Sequence, residues 1–269
     1  MKKIVRKIIP PILFDFYVLL RYGRKGTTYK GIFNSYQESI SSSKQESLYL
    51  NQQYDTFAVD EFYESINNQG LNSRSTQRDG LLVELILQLK FKNIKANILD
   101  YGGANNPQLS HLSIEERNNS THFIIDRKEL ISRIKSHNKF LSIQPNINLL
   151  NPDDLGNINE KLDIAFFGST IQYLDEFIKI LNLIKEKECK YTIVCDRVFT
   201  NSSYDFYVLQ MNMKPSIFPN KWHSRELFQS NLDELGYKII WECSNKHNYH
   251  HNSISDEDFS HHSFICERV

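Results

Sequence analysis

From residue 79 onward the apolar positions alternate between two rhythms. In "DGLLVELILQLKFKN" Leu81, Leu82, Leu85 and Leu89 recur at helical spacing and Ile86 widens the stripe, which predicts an amphipathic helix. The segments that follow are short and continuously apolar. "ANILDYG" reads as a buried strand ending in a glycine turn, and "THFIIDR" as a second strand ending in an acid. "KFLSIQP", "LDIAFFGST" and "KYTIVCDRV" supply a third, fourth and fifth strand. Helical patterns lie between and after them. "IQYLDEFIKILNLIKEK" is amphipathic, and "HSRELFQSNLDELGY" has Ser224 as its cap and Gly236 just past its end. "YKIIWECS" and "HHSFICERV" are two final strands.

Strands that alternate with helices build a mostly parallel sheet covered on both faces. The link between the last two strands, "NKHNYHHNSISDEDF", carries no helical pattern, which suits an antiparallel neighbour better than a crossover. The expected fold is therefore α/β and Rossmann-like: a mostly parallel seven-stranded sheet, its last strand antiparallel, with helices on both faces. Residues 1–80 form a separate N-terminal segment and helical extension, with "YKGIFNSYQESISSS" and "YDTFAVDEFYESINNQ" as connector and short helices, and residues 81–269 form the main domain.

Composition narrows the classes. The 269 residues are 40% hydrophobic and 12% aromatic, enough for a sizeable core. Thirty-two basic residues balance 32 acidic ones, so no overall charge draws the chain to nucleic acid. Four cysteines are too few for a disulfide framework, and Cys195, Cys243 and Cys266 sit in apolar runs as small buried residues of a reduced, cytoplasmic protein. The histidines His247, His250, His251, His261 and His262 show no zinc-ligand spacing and read as loop decoration. "MKKIVRKIIPPILFDFYVLLRYGRK" is basic, apolar, then basic again. Its apolar run is shorter than the ~20 residues of a spanning helix. Packing on the protein and peripheral contact with the inner face of a membrane, through Lys2, Lys3, Arg6, Lys7, Arg21, Arg24 and Lys25, both remain open.

The candidate chemistry gathers at strand ends, where ligands of open α/β sheets bind. Gly102 and Gly103 follow the first strand of the series and permit positive φ and close approach of a ligand. Asp126 ends the next strand 23 residues after Gly103, near the spacing at which an acid meets a ribose diol. Alone the glycine pair is an ordinary turn; with Asp126 and the ordered strands it reads as a nucleoside site. After the fourth strand, Gly168, Ser169 and Thr170 lie at the cleft lip and Gln172 and Tyr173 open the next helix. Ser169 or Thr170 as a helix cap, and Tyr173 as plain core, are equally open readings.

"LDYGG", "FIIDRKELI", "GSTIQYLDEF" and "IVCDR", together with a late Gln-plus-Pro/Trp stretch, resemble a family of bacterial class I S-adenosylmethionine methyltransferases whose genes often stand beside surface-polysaccharide genes. "IIPPIL" and "YKGIFNSYQE" extend the resemblance over most of the chain. It implies S-adenosylmethionine as cofactor and a hydroxyl of a sugar or polysaccharide-related small molecule as acceptor. It places Asp100, Gly102, Gly103 and Ala104 on the cofactor loop, Asp126 on the ribose, and Gly168, Ser169, Gln172 and Tyr173 on the motif after the fourth strand. Asp196 and Arg197 fall on the family's Asp-Arg pair, and Gln210 and "FPNKW" in the region that shapes an acceptor pocket. The loop departs from the general glycine pattern at Ala104 and Asn106, which bears on cofactor affinity.

A hydroxyl acceptor needs a general base, and Asp196 and His223 are the candidates. Asp196 paired only with Arg197, and His223 as a surface or helix-start residue, are the competing readings. A nicotinamide-dependent oxidoreductase predicts three glycines and a helix before the last strand, and neither is present. A non-catalytic binding or scaffold protein of the same fold is the other alternative. Oligomeric state is not legible.

Overall fold

The computed structural model describes residues 28–42, 52–67, 77–92, 94–104, 107–137, 146–211, 217–245, 250–251, 254 and 258–269. In chain order the main elements are β1 (Thr28–Phe33), α1 (Tyr36–Ser42), α2 (Gln52–Asn67), α3 (Gln77–Lys90), β2 (Ala96–Tyr101), α4 (Ile114–Asn118), β3 (Ser120–Ile125), α5 (Lys128–Ser136) and β4 (Ile147–Leu150). They continue with β5 (Ile164–Gly168), α6 (Phe177–Glu186), β6 (Tyr191–Thr200), β7 (Phe206–Met211), β8 (Ile217–Ser224), α7 (Arg225–Glu234), β9 (Tyr237–Asn245), β10 (His250–His251) and β11 (Phe259–Arg268).

Among the described residues the strands form one sheet of eleven, not seven. Within it runs the series β4-β3-β2-β5-β6-β11-β9. The first five are mutually parallel, and β11 is antiparallel to both of its neighbours. The last strand in the chain therefore lies inside the sheet, between β6 and β9. The four strands that hydrophobic pattern did not reveal, β10-β1-β7-β8, form an annex. It joins the series where Phe199 and Thr200 of β6 pair with His223 and Ser224 of β8. The expected third strand, "KFLSIQP", lies outside the described residues, and Ile147–Leu150 is the strand that pairs with β3.

Alternation along the strands sends side chains to two faces. Leu99, Tyr101, Ala165, Phe167 and Val194 meet α6 and α7 in one core. Ile98, Ile164, Phe166, Ile193 and Cys195 meet α3 in another, which Ile124 and Leu149 extend beneath α2 and α5. α2 is part of this arrangement: Ala58, Val59, Phe62, Tyr63 and Ile66 pack on Leu130, Ile131 and Ile134, and the Tyr63 hydroxyl donates to the Ile134 carbonyl at 2.8 Å. β1 is likewise bonded to β7, and position 80 falls within α3. The basic segment before residue 28 lies outside the described residues, and no helix among the described residues is long and apolar enough to cross a membrane.

Two local expectations change. α3 is apolar on several sides, and the face it buries is Val83, Ile86 and Leu87, while Leu85 and Leu89 are 44% and 65% exposed. Of the expected stripe, Leu82 and Ile86 pack on the core, while Leu85 and Leu89 do not. Ile171–Tyr173 is a separate 3-10 turn, and the helix begins only at Phe177. Ser224 does cap α7, accepting from the Leu227 N–H, and Gly236 follows at φ 78°. The buried face of α3 yields a direct test: Leu87→Ala is expected to lower unfolding free energy by about 2–4 kcal/mol, and Leu89→Ala by less than about 0.5 kcal/mol, in urea titrations.

Candidate functional site

The strand order reverses between β2 and β5, and the carboxyl ends of the strands at such a reversal are where ligands of open α/β sheets bind. Three consecutive strands of the sheet carry left-handed backbone at this level: Gly102 at φ 82° just after β2, Ser169 at 52° just after β5, and Asp196 at 51° inside β6, where the pairing with β11 shifts register. For Ser169 and Asp196 this conformation costs roughly 1–3 kcal/mol each, a strain that clusters at functional sites. Ser169 is tied to the middle of β6 by its N–H, which donates to the Cys195 carbonyl at 3.2 Å.

The first loop is held from three sides. The Gly102 N–H donates to the Ile125 carbonyl at 2.7 Å. Asp126 accepts from the Ala104 N–H at 3.1 Å through one oxygen and from the Arg127 N–H at 2.7 Å through the other. Asp100 accepts from the Gln108 N–H at 2.6 Å. The glycines are required by the chain's own packing. A Cβ on Gly102 would stand 2.5 Å from Thr170 Oγ1, and one on Gly103 2.1 Å from Asp100 Oδ2. Sequence-predicted Asp100, Gly102, Gly103, Ala104 and Asp126 are thus brought together.

Electrostatically the loop is unusual. Burial pushes the Asp100 carboxyl up to about 7; the Gln108 N–H opposes this and the nearby charge of Asp126 adds to it. Among the described residues no cation pairs with Asp100. Gln108, 1% exposed, has both side-chain polar atoms buried with no partner. Tyr101, held neutral by burial and by the charges of Asp126 and Asp153, stacks on Phe167 at 5.7 Å.

On the opposite lip, Thr170 donates to the Gly168 carbonyl at 2.8 Å and Gln172 Nε2 to the Ser169 carbonyl at 2.7 Å. Neither Ser169 nor Thr170 caps a helix through its side chain. Gln172 Oε1 is buried with no partner. Tyr173 is partly exposed and is not plain core: its hydroxyl donates to Gln210 Oε1 at 3.3 Å and its ring meets Phe218 edge-on at 5.6 Å. Asn220 Nδ2 donates to the same Gln210 oxygen. The annex therefore leans over the turn after β5, and "FPNKW" is most of strand β8.

The two candidate bases have different partners. Asp196 does not end its strand, as the sequence suggests, but lies inside β6, which continues to Thr200 because it pairs with β11 on that side; its carboxylate is 3.0 Å from His261 Nδ1 and its N–H donates to Ser263 Oγ at 3.0 Å. Arg197 reaches its carbonyl, not its carboxylate. His223 is buried, neither surface nor helix-start, with Nδ1 3.2 Å from Asp205 Oδ2. Asp205 also accepts from the Ser224 N–H at 2.8 Å and pairs with Lys221 at 3.3 Å. Burial would raise the Asp205 carboxyl, but His223, Ser224 and Lys221 together hold it down at about 2. A carboxylate only accepts, so Nδ1 carries the hydrogen and Nε2 is left without a partner. A cavity of about 80 Å³ adjoins this pair, with Phe177 and Phe228 among its walls.

His261 and Asp205 were missed in sequence because their partners lie 65 and 18 positions away. The histidines read as loop decoration are strand residues. His251 lies 3.0 Å from the Gly31 carbonyl and His262 2.6 Å from Glu242, while His247 is outside the described residues. No metal-binding group of three is found among the described residues.

No family model and no curated protein matches the chain. Solved structures similar to it include the N-terminal domain of EvdMO1 with S-adenosylhomocysteine bound, at 13% identity and TM-score 0.49 over 74% of this chain and 83% of that one. Another is an S-adenosylmethionine-dependent methyltransferase from Clostridium acetobutylicum, at 12% and 0.47 over 81% and 99%. A third is magnesium protoporphyrin IX methyltransferase from Synechocystis with S-adenosylhomocysteine bound, at 9% and 0.48 over 82% and 99%.

Burial of Asp100 predicts a pH effect. The folded state holds this proton more tightly than the unfolded chain, so stability falls as pH rises from about 4 to 7. Asp100→Asn is expected to raise the melting temperature of the free protein at pH 8 and to leave it unchanged at pH 3.5, in thermal melts across that range.

Proposed function

We propose that the chain is an S-adenosylmethionine-dependent methyltransferase acting on a hydroxyl of a sugar or surface-polysaccharide-related molecule. The observation that carries this is the loop at the strand reversal, where Gly102–Ala104 is held by Asp126 at the end of the neighbouring strand. A carboxylate offers about four acceptor positions, so Asp126 can hold the loop and a ribose diol together. The residues also fit the cofactor's cationic end: a buried carboxylate with no cation at Asp100, and a buried acceptor with no partner at Gln172.

When bound, the cofactor supplies an activated methyl group, so the protein has only to align the acceptor and take its proton. Tyr173, Phe218, Gln210 and Asn220 offer two aromatic rings and neutral amides at the crevice lip, which suit an uncharged hydroxylated acceptor. Asp196 is assigned as the base, with His261 fixing its carboxylate, because it follows Cys195, to which the Ser169 backbone is bonded. His223, paired with Asp205, is the second candidate. Location in the cytoplasm rests on the cysteine pattern, and contact with the inner face of a membrane on the sequence of residues 1–25.

In thermal-shift assays S-adenosylmethionine and S-adenosylhomocysteine should each raise the melting temperature by several degrees at 100 times Kd or more, nicotinamide dinucleotides should not, and Asp126→Ala should abolish the shift. No shift with either methionine cofactor would sink the reading.

A further inference from the structure

Asp196 faces a direction that its place in β6 does not predict, and the reason lies in β11. Residues an even number apart on a regular strand share one face. Val194 and Phe199, five apart, nevertheless belong to the same core with α6 and α7. The ladder slips between them. His262 pairs with Arg197 and Phe264 with Val194, so Ser263 alone stands opposite Cys195 and Asp196. Two residues against one is a β-bulge, and Asp196 takes its left-handed position at φ 51°. Without the bulge, alternation from Val194 would turn Asp196 into the core of Phe199, Phe228 and Phe264. On β11, Phe264 and Cys266 lie in that core, so His261, Ser263 and Ile265 face the other side, where Ile265 joins the core beneath α3. There the Asp196 carboxylate meets His261 Nδ1 at 3.0 Å. The Asp196 side chain is 41% exposed and that of His261 only 5%.

Two side chains hold the bulged residue by its backbone. The Asp196 carbonyl accepts from Arg197 Nε at 2.8 Å, and the Asp196 N–H donates to Ser263 Oγ at 3.0 Å. Arg197 is the next residue of the same strand and moves with the bulge. Ser263 reaches across from β11, and its own backbone is registered on the far side against Cys243 of β9. We propose that Ser263 is a positioning residue for Asp196: its hydroxyl holds the left-handed backbone that turns the carboxylate out of the α6–α7 core and onto His261. The assignment rests on the reading of Asp196 as the base that takes the acceptor's proton. Without the hydroxyl the Asp196 N–H loses its acceptor, a strained non-glycine residue loses its support, and the carboxylate can swing away from His261. A serine is needed there because a side chain so close to the opposing backbone must be short and must accept a hydrogen bond.

The tautomer of neutral His261 reports the aim of Asp196 and needs no methyl acceptor. A carboxylate only accepts, so a histidine facing it through Nδ1 carries its hydrogen there. Long-range nitrogen–proton NMR spectra of histidine-labelled protein at alkaline pH read this directly, with His261→Gln to identify the signals. The wild type should hold His261 in the Nδ1–H form. Ser263→Ala should lower the ratio of Nδ1–H to Nε2–H by roughly tenfold or more, the worth of one hydrogen bond to a charged group. Ser263→Thr, which keeps the hydroxyl, should restore the ratio. Ser263→Cys, similar in size and a weak acceptor, should behave as the alanine variant does and replaces it where alanine does not fold. The thermal shift with S-adenosylhomocysteine should survive in every variant, because Ser263 does not hold the glycine loop. An unchanged tautomer in Ser263→Ala, no restoration by threonine, or loss of the thermal shift along with the tautomer overturns the assignment. Absence of a shift in the wild type removes the cofactor reading instead, and the tautomer measurement still decides what Ser263 does.

Discussion

The site depends on one backbone constraint. Three neighbouring strands carry left-handed backbone at one level: at Gly102 and Ser169, just after β2 and β5, and at Asp196 inside β6. The first two turn the chain out of the sheet. The third is an irregularity within a strand, where the pairing of β6 with β11 shifts register and the strand continues to Thr200. Only the first position uses glycine. At the other two the chain accepts the steric penalty and offsets it with bonds: Ser169 to Cys195 through the backbone, and Asp196 to Ser263 and His261. Asp196 is thereby fixed by β11, the strand slotted between β6 and β9, and Ser169 by β6. The unusual sheet order and the local strain belong to one device.

The central strands were legible because strands buried on both faces are continuous apolar runs. "NILDY", "HFII", "IAFFG" and "YTIVC" leave no other reading. Asp126 was legible because its spacing from the glycines follows from a strand, a turn and a helix of ordinary length. The annex was not. β1 contains Gly31, β8 contains Pro219, Asn220 and Lys221, and β10 is two residues long, so none has a pattern of its own. These strands exist because they pair with one another and bury Tyr29, Phe206, Val208 and Trp222 together. The face of α3 was misread for a related reason: a helix apolar on several sides has no preferred stripe, and the sheet beneath selects Val83, Ile86 and Leu87.

The partners of the candidate bases show the limit most clearly. Asp205 meets His223 because a hairpin folds back, and His261 meets Asp196 because the last strand enters the sheet beside β6. Both are consequences of topology, which no local spacing encodes. The glycine loop shows the reverse error. Its glycines invited a ligand, yet the atoms crowding them belong to Thr170 and Asp100. The signal for a ligand lies one layer deeper, in a carboxyl without a cation and two amides with atoms left without partners.

The position of β11 also governs how the molecule can assemble. Until that strand arrives, β6 shows a ten-residue open edge, and β9 has no other strand beside it among the described residues. The sheet is therefore completed from its middle, by a segment made after all the others. Long-range pairing of this kind forms slowly, and an open edge meanwhile is a template for other chains. Since β11 also brings His261 and Ser263 to Asp196, the same late event that protects the chain from aggregation finishes the crevice. A partly folded chain would therefore carry the glycine loop in place and the far wall of the site still missing.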